Sequence, residues 1–423
     1  MGGRSKHKGL VPMRIAFLAV VCLTIISLTP LDARAESGKL STELRILHTN
    51  HYRIHTDLDR SLTEDLARRV DAMYEEYARR LAIFDTSHSG DKYDLYFFAR
   101  RKTFEDFTNH KVSNAGGVTI PELNCFAADL ESQGRDALRQ TLQHEMFHQF
   151  ALTVVSQDLP PWLNEGLAVM FQEGIYTGRS FILGQVPPRR VRQLQYDISK
   201  KQLVDFRKMM TMKLSEWNGT LGHDRVAGST QYNQAWAMCQ FLVYASDHGQ
   251  FKYRGRFLDL LQRIHNGTDP MQAFNEAFSP NVEGFQSQFL KWASTLAATP
   301  EAVLIERQNV LGDMLISCNS RGRRFDAIDA FRNTVIRGGL YLQYTQNNVR
   351  WETERDAKIY FCDLDGRPYS SSEMYFDIRT GAPLPDLVCD PIGQIHLRTR
   401  FYDLPGNVGV ERETIVEGGG NGR

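Results

Sequence analysis

Four residues near the middle of the chain have the types and spacing of a catalytic zinc site. His144, Glu145 and His148 form an HExxH motif, and Glu165 follows within the segment WLNEGLA that starts at Trp162. Residues four apart share one face of an α-helix, so both histidines can reach one metal ion. Glu145 lies beside that face, where it can act on a water molecule at the metal. The pattern predicts His144, His148 and Glu165 as ligands and Glu145 as general base.

Two helices are needed to position these side chains, and the sequence predicts both. Apolar residues recur every four positions from Leu138 to Val154, as in a helix with one buried side. Pro160 and Pro161 interrupt the chain, and residues 162–171 are predicted as a second helix. An HExxH sequence can also arise from composition alone, in two buried helices with incidental polar residues. The combination of three ligand types and a base on two neighbouring helices favours a metal site.

These motifs resemble the gluzincin metallopeptidases, and more closely the bacterial peptidase MA-like proteins with their P-x-W-L-x-E-G-x-A pattern. The resemblance covers roughly residues 45–295. It implies that His144, His148 and Glu165 hold one catalytic Zn²⁺ and that Glu145 is the catalytic glutamate. It also implies a small N-terminal sheet, a zinc helix and a mainly helical subdomain. The gap between His148 and Glu165 is shorter than in well-studied members, which implies a shorter connection between the helices.

The resemblance also suggests a residue that stabilises the tetrahedral intermediate. Related aminopeptidases carry a tyrosine downstream of the glutamate ligand, and the YNQA segment at Tyr232 matches a recurring Y-x-Q-A motif. A phenol near the metal can donate a hydrogen bond to the developing negative charge. The alternative is that Tyr232 starts a helix and packs on Trp236. His223, in a stretch predicted as a loop from Gly219 to Ser229, competes for the same role.

The preceding segment predicts a strand, a helix and two further strands. Residues 44–56 alternate as one or two strands, residues 66–81 carry a helical apolar stripe, and residues 93–99 form another strand. Residues 116–120 form a short strand before the zinc helix. In the gluzincins the substrate lies antiparallel along an edge strand, and residues 116–120 are the candidate here, with glycines that leave room for the peptide. A hairpin turn is an equal alternative.

Exopeptidase features are sparse. The G-x-M-E-N segment of the aminopeptidases is absent, and Glu122 lies near its expected place as a candidate for binding a substrate amino group. We therefore expect an endopeptidase or a peptidase of unspecified type. His48, His51 and His55 are predicted to be solvent-facing strand residues and not a second metal site.

The N-terminus has the parts of a secretory signal peptide. Basic residues precede an apolar run from Ile15 to Leu28, and Ala33-Arg34-Ala35 fits a small-x-small cleavage site. The apolar run is short for a membrane span, so an uncleaved anchor is the less favoured alternative. Residues 1–35 are predicted as the signal peptide of a secreted or periplasmic protein.

Composition is that of an ordinary globular enzyme. The 50 basic residues balance the 50 acidic ones, so we expect neither nucleic acid nor, after signal removal, a membrane as partner. The basic stretch Arg189, Arg190 and Arg192 is predicted to be a solvated face. Cys362 and Cys389 are the best candidates for a disulfide in an oxidising compartment.

The sequence as a whole predicts an α+β protein in two parts. Residues 36–299 form the gluzincin-like domain, and residues 300–423 form a small β-rich module with a disordered tail, because residues 341–399 are rich in Tyr, Phe, Ile and Thr between turn signals. The predicted function is a secreted zinc-dependent peptidase acting on peptides or proteins. The alternatives are a catalytically degenerate binding or scaffold protein on the same fold, and a zinc hydrolase of a non-peptide substrate.

Overall fold

The computed structural model describes residues 44–86, 92–110, 116–120, 123–390, 395–404 and 407–416. The predicted signal peptide, Glu122 and the glycine-rich tail lie outside the described residues. The fold is mixed α+β, as expected.

A five-stranded sheet forms the N-terminal part. Its strands are β1 (Arg45–His48), β2 (Tyr52–Thr56), β3 (Tyr93–Phe98), β4 (Gly117–Ile120) and β5 (Cys125–Asp129), in the spatial order β1-β2-β3-β5-β4. The three central strands are parallel, whereas β1 and β4 pair antiparallel at the two edges. Parallel neighbours need crossover connections, which here contain α1 (Arg60–Arg80) and α2 (Arg101–Phe107). The predicted strand at residues 116–120 therefore lies at a sheet edge, and it is also one arm of a β4–β5 hairpin.

The central strand β5 was not predicted from the sequence. All five of its residues are buried, so it lacks the alternation of polar and apolar residues that identifies a half-exposed strand. It brings the chain from the sheet edge to the start of the next helix.

The two predicted motif helices are present. They are α3 (Arg135–Phe150), which ends in a π-helical turn (Ala151–Val155), and α4 (Pro161–Gln172). The apolar ridge of α3 is buried against the sheet layer, as its four-residue spacing predicts. Pro161 occupies the first turn of α4, where its missing N–H has no helical partner to lose.

A mainly helical region follows. Its helices are α5 (Pro188–Ser199), α6 (Phe206–Thr211), α7 (Leu214–His223), α8 (Arg225–Tyr244), α9 (Arg254–His265), α10 (Pro270–Ala277) and α11 (Val282–Ser294). Two short hairpins accompany them, β6 (Ile175–Tyr176) with β7 (Phe181–Ile182) and β8 (Ser246–Asp247) with β9 (Gln250–Phe251). From Gly228 to Val243, α8 is buried on all sides and forms the centre of this region.

The loop predicted from Gly219 to Ser229 is wrong. That stretch is the end of α7 and the start of α8, which meet at Asp224. The Asp224 carboxylate accepts hydrogen bonds from the backbone N–H groups of Val226 and Ala227, and this N-cap starts a new helix at once.

The C-terminal part begins with two helices that the sequence reading did not predict. They are α12 (Pro300–Asn319) and α13 (Ile328–Gly338). The strands follow as expected: β10 (Gln343–Gln346), β11 (Val349–Glu352), β12 (Met374–Asp377), β13 (Asp386–Cys389), β14 (Ile395–Leu404) and β15 (Asn407–Val416). The last four form an antiparallel sheet in chain order. The buried apolar residues of the C-terminal part, from Leu304 to Phe401, form one cluster. It is separate from the larger cluster of residues 52–293.

The predicted disulfide between Cys362 and Cys389 is not formed. Both residues are free thiols, as are the other three described cysteines. Cys389 is buried within β13 in the C-terminal cluster, whereas Cys362 is half-buried at the end of a 3₁₀ turn (Ala357–Phe361). The two thiols are thus held in different packing environments.

The last strand contacts the helix that carries the HExxH motif. The Arg139 guanidinium donates to Glu411 at 2.7 Å, and Asp136 accepts from the backbone N–H and the guanidinium of Arg412 at 3.0 Å each. The C-terminal sheet therefore packs directly on the first turns of α3.

Across the described ranges, the helices are too short or too polar to cross a bilayer.

Candidate metal centre and active site

His144, His148 and Glu165 converge on one point between α3 and α4. The Nε2 atoms of the two histidines are 3.0 Å apart, and Glu165 Oε2 lies 3.2 Å from that of His144 and 3.5 Å from that of His148. All three residues are buried. Within the described ranges, this is the group of metal-ligating side chains whose ligand atoms lie close enough together to hold an ion.

The spacing of these three atoms fits a tetrahedral zinc ion. Ligands at about 2.0–2.1 Å from Zn²⁺ in a tetrahedral arrangement are separated from one another by roughly 3.3–3.4 Å. The observed separations of 3.0, 3.2 and 3.5 Å bracket this value. Three ligands of this kind leave a fourth position open, which is the arrangement of catalytic zinc sites.

The other nitrogen of each imidazole is held by an amide oxygen. His148 Nδ1 lies 2.9 Å from Asn164 Oδ1, and His144 Nδ1 lies 3.2 Å from Gln172 Oε1. An oxygen acceptor at Nδ1 places the proton there and leaves a lone pair on Nε2. These two amide residues are functional positions that the sequence reading missed.

The site is electrostatically incomplete without a cation. Two Nε2 atoms and a carboxylate oxygen face one another within 3.5 Å, and Glu165 Oε2 has no hydrogen-bond donor when both imidazoles are neutral with their proton on Nδ1. Such a group of acceptors is stable only if a proton or a metal ion lies among them. The donor set, two imidazoles and one carboxylate, is the one that suits zinc.

Without metal, the site retains a proton on an imidazole. Burial alone would lower the pKa of His148, but Glu165 raises it to about 9. Burial would raise the pKa of Glu165, but the two histidines lower it to about 2. Metal binding at neutral pH must therefore displace a proton from the ring, because only neutral imidazole can ligate.

Glu145 lies next to the three ligands and contacts the edge strand. The hydroxyl of Thr119, on β4, donates a hydrogen bond to Glu145 Oε2 at 3.2 Å. Burial raises the pKa of Glu145, the two histidines oppose this, and the Glu165 carboxylate adds to the increase. A carboxylate with an elevated pKa is a better proton acceptor, as a general base requires.

Gln143 connects the two motif helices beside His144. Its side-chain amide donates to the carbonyls of Phe171, Gln172 and Gly174, at 3.1–3.3 Å. These carbonyls lie at or just beyond the C-terminal end of α4, and that of Phe171 also accepts from the backbone N–H of Gly174 at 2.9 Å. The contact fixes the position of Gln172, and through it the ring of His144.

Gly166 explains the close packing of α4 on α8. A Cβ atom at this position would lie 2.5 Å from the carbonyl oxygen of Ala235 and 2.6 Å from Cys239 Sγ. Only glycine allows the two helices to approach this closely. The residue next to the Glu165 ligand therefore sets how α8 lies against the site.

A cavity of about 1430 Å³ opens beside the metal centre. Its lining includes His144 and Gln172 together with residues of α12, β14 and β15. The C-terminal part of the chain thus forms one wall of the same cavity that contains the candidate ligand His144.

The structure separates the two candidates for stabilising the oxyanion. Tyr232 lies in the middle of α8, is buried, and lines the cavity together with His144. It is not a helix-start residue, and its ring packs edge-on against Trp217. His223 is exposed at the end of α7. Tyr232 is therefore the candidate that lines the same cavity as His144.

The space that a side chain would occupy at Gly116 and Gly117 is filled by the protein's own side chains. A Cβ at Gly116 would meet the Gln133 side chain at 2.4 Å, and one at Gly117 would meet the Phe126 ring at 2.8 Å. Gln133 also donates to the Gly116 carbonyl at 2.6 Å. The glycines therefore make room for Gln133 and Phe126, and the pairing of a substrate with residues 116–120 stays a prediction.

The three histidines near the N-terminus do not form a metal site with one another. His51 contacts Glu75 at 2.9 Å, and His55 contacts Asp94 at 2.8 Å. Both rings also stack on tyrosines, whereas His48 is exposed. His48 and His55 are strand residues, as the sequence predicts, whereas His51 lies in the turn between β1 and β2.

One protein-family model matches part of the chain. A family model described as "Protein of unknown function (DUF1570)" matches residues 139–257, a segment from α3 to α9 that includes both motifs and Tyr232. Comparison with curated proteins gave no match. The chain is thus similar over this segment to a family whose description gives no activity, and the functional argument rests on the geometry of the site.

Proposed function

We propose that this protein is a zinc-dependent peptidase of the gluzincin type, exported through its N-terminal signal. His144, His148 and Glu165 would bind one Zn²⁺. The observation that carries the proposal is the convergence of two imidazole Nε2 atoms and a carboxylate oxygen at 3.0–3.5 Å, with both Nδ1 atoms already held by amide oxygens. This arrangement has the donor types, spacing and supporting hydrogen bonds of a catalytic zinc site.

The catalytic roles follow from the contacts of the surrounding residues. A Zn²⁺ ion at this site would polarise a substrate carbonyl and lower the pKa of a water molecule. Glu145 accepts the proton of the attacking water and delivers it to the leaving amine. Thr119 donates to Oε2 of Glu145, which orients the carboxylate and leaves Oε1 to carry the proton. Tyr232 donates a hydrogen bond to the negative charge that develops on the carbonyl oxygen.

Glu145 favours an enzyme over a scaffold on the same fold. A protein that used its metal only for structure would have no physical need for a fully buried carboxylate beside the ligands, because burying a charge is costly. The edge position of β4, next to Glu145 through Thr119, supports an extended peptide as substrate, since a free strand edge can pair with one.

Metal analysis tests the proposal without a guess about substrate. Residues 36–423 are purified without chelator, and metal content is measured by mass spectrometry. We expect about one zinc per chain, with a large loss in His148→Ala and Glu165→Ala. His55→Ala is the matched control, because it removes a half-buried histidine that contacts Asp94 and not the site. A folded wild-type protein that takes up no zinc would overturn the proposal.

A second experiment measures the hydrolysis of a peptide library. The zinc-loaded protein should cleave a subset of peptides, lose this activity with a chelator and regain it with added Zn²⁺. Zinc bound in stoichiometric amount with no cleavage of peptides or proteins would favour a hydrolase of another substrate or a scaffold.

A further inference from the structure

Two arginines share a single buried carboxylate on the wall of the cavity that contains His144. Nη2 of Arg189 lies 2.7 Å from both oxygens of Glu173, and Nε of Arg190 lies 2.5 Å from Oε1. Arg190 also donates to the Asn233 side chain at 3.2 Å. Two positive charges and one negative charge leave one positive charge in excess.

The arginine pair contacts Glu173 and Asn233, and each of these is the sequence neighbour of a residue at the candidate active site. Glu173 directly follows Gln172, whose side chain accepts a hydrogen bond from His144 Nδ1. Asn233 directly follows Tyr232 on α8. All of these residues line the same cavity as His144, so a substrate that extends from the candidate metal centre along this cavity reaches the excess charge.

Other arginines of the cavity wall are matched by carboxylates. Arg192 has Glu306, Arg412 has Asp136, and Arg100 has Glu131, each within 3.0 Å. Arg139 lies between Asp65 and Glu411. Carboxylates are shared in the neighbouring group too, but there four arginines (Arg69, Arg135, Arg139, Arg412) contact four carboxylates (Asp59, Asp65, Asp136, Glu411). What distinguishes Arg189 and Arg190 is that two arginines contact one carboxylate.

The excess charge is only partly solvated. The Arg189 and Arg190 side chains are 21% and 15% exposed, so they are reached from the cavity but are largely buried. Burial lowers the pKa of Arg190; Glu173 opposes this, and Arg189 lowers the pKa further. The expectation of a solvated basic face is wrong for this pair. A largely buried, incompletely paired charge is unfavourable unless another anion completes it.

We propose that Arg189 and Arg190 form a subsite that binds a carboxylate group of the substrate. The inference rests on the proposed peptidase function and names a substrate class for it. Among the described contacts, the hydrogen bonds of Arg189 involve Nη2, so its other donors are available to a second carboxylate, which a guanidinium binds well. In a peptide, that carboxylate is an acidic side chain or the chain terminus.

Matched peptides separate these two sources. An acetylated alanine hexapeptide is made with one glutamate or one glutamine, scanned through the positions, and with a free or an amidated C-terminus. Binding to the zinc-loaded Glu145→Gln protein is measured by calorimetry, so that no turnover occurs. We expect at least one carboxylate form to bind about tenfold or more tightly than its neutral counterpart. The pair that shows the difference identifies the source.

Arg189→Gln is the decisive variant. It removes the excess charge but leaves Arg190 and Glu173 as a neutral pair, so the fold should persist, which thermal unfolding checks. The preference for a carboxylate should disappear in Arg189→Gln and remain largely intact in Arg189→Lys. Glu173→Gln raises the excess charge and should strengthen the preference. Arg207→Gln, which removes an exposed guanidinium paired with Glu283 on α11, is the control and should change nothing.

Two results would overturn the inference. One is the absence of any carboxylate preference, and the other is a preference that survives in Arg189→Gln, which would place the carboxylate on the metal. Failure of this subsite and failure of the peptidase proposal give different results. Arg189-dependent binding without any hydrolysis by the wild-type protein would overturn the peptidase proposal alone, and hydrolysis without a carboxylate preference would overturn this subsite alone.

Discussion

Asn164 Oδ1 lies 2.9 Å from Nδ1 of His148. The next residue of α4, Glu165, places a carboxylate oxygen 3.5 Å from Nε2 of the same ring. Two consecutive residues thus lie at the two nitrogens of one imidazole, one as hydrogen-bond acceptor and one as the proposed fellow ligand. The asparagine in WLNEGLA therefore fixes the tautomer and orientation that ligation by His148 requires.

Asn164→Ala should weaken zinc binding without unfolding the protein. Loss of the acceptor at Nδ1 lets the ring rotate and change tautomer, and such changes typically reduce metal affinity about 10- to 100-fold. The affinity is measured by competition with a chromogenic chelator. Asn164→Asp should retain tight binding, because a carboxylate oxygen also accepts the Nδ1 proton. Equal affinities for wild type and Asn164→Ala would show that the contact is incidental.

Glu145→Gln should abolish hydrolysis while zinc stays bound. The amide cannot accept a proton, and loss of a general base typically lowers kcat about 10²- to 10⁴-fold. Zinc content and peptide hydrolysis are measured on the same preparation. Glu131→Gln, which changes a largely exposed carboxylate that pairs with Arg100, is the control and should keep full activity. Full activity in Glu145→Gln would refute the assigned role.

Gly166→Ala should destabilise the protein. The added methyl group would lie 2.5 Å from the Ala235 carbonyl oxygen, so α4 and α8 would have to separate, at a cost of about 1–3 kcal/mol. The free energy of unfolding is measured with urea. Gly255→Ala in α9 is the matched control, because a Cβ there has no heavy atom within 4 Å and alanine favours the helix. If Gly255→Ala lowered the free energy of unfolding as much as Gly166→Ala does, close packing of α4 on α8 would not be the explanation.

Asp197→Asn should stabilise the protein at neutral pH but not in acid. Burial raises the pKa of Asp197 from 3.8 to about 6, so the folded state binds this proton more tightly than the unfolded state does. The resulting stability is present below pH 3.8 and is lost as the pH rises through 6. The side chain of Asp197→Asn cannot ionise, so this loss of stability does not occur. Its amide oxygen can still accept the hydrogen bond from Gln193. We expect a gain of about 1–2 kcal/mol at pH 7.5.

The measurement is urea unfolding of both proteins at pH 4 and pH 7.5. The difference between variant and wild type should be close to zero at pH 4, where Asp197 is mostly protonated in the folded state. An equal gain at both values would mean that the substitution acts through packing and not through proton binding.

The grouping of His144, His148 and Glu165 and the helices that carry them could be predicted because chemistry and periodicity coincide there. The HExxH spacing is a helical repeat, and Pro161 marks the start of α4. The amide partners could not be predicted as such, since asparagine and glutamine have no distinctive spacing. A usable signal existed, however: Asn164 is adjacent to a ligand, and Gln172 lies two turns further along the same helix.

Other features depended on contacts that sequence patterns do not encode. Strand β5 is buried on both faces, and α12 is apolar on several sides, so neither has the periodicity that identifies a half-exposed element. The sharing of Glu173 by Arg189 and Arg190 joins α5 to the end of α4. A run of arginines alone predicts a solvated surface, and only the fold shows the carboxylate that the two arginines share.

Tyr232→Phe should lower kcat with little change in zinc content. The phenol lines the same cavity as His144, and loss of a hydrogen-bond donor to the oxyanion typically costs about 10²-fold or more in kcat. His223→Ala is the comparison, because that ring is exposed at the end of α7 and should not affect the rate. The two variants are assayed with one peptide substrate, and zinc is measured in each. If kcat fell more in His223→Ala than in Tyr232→Phe, His223 and not Tyr232 would stabilise the oxyanion. The end of α7 would then have to move toward the candidate metal centre.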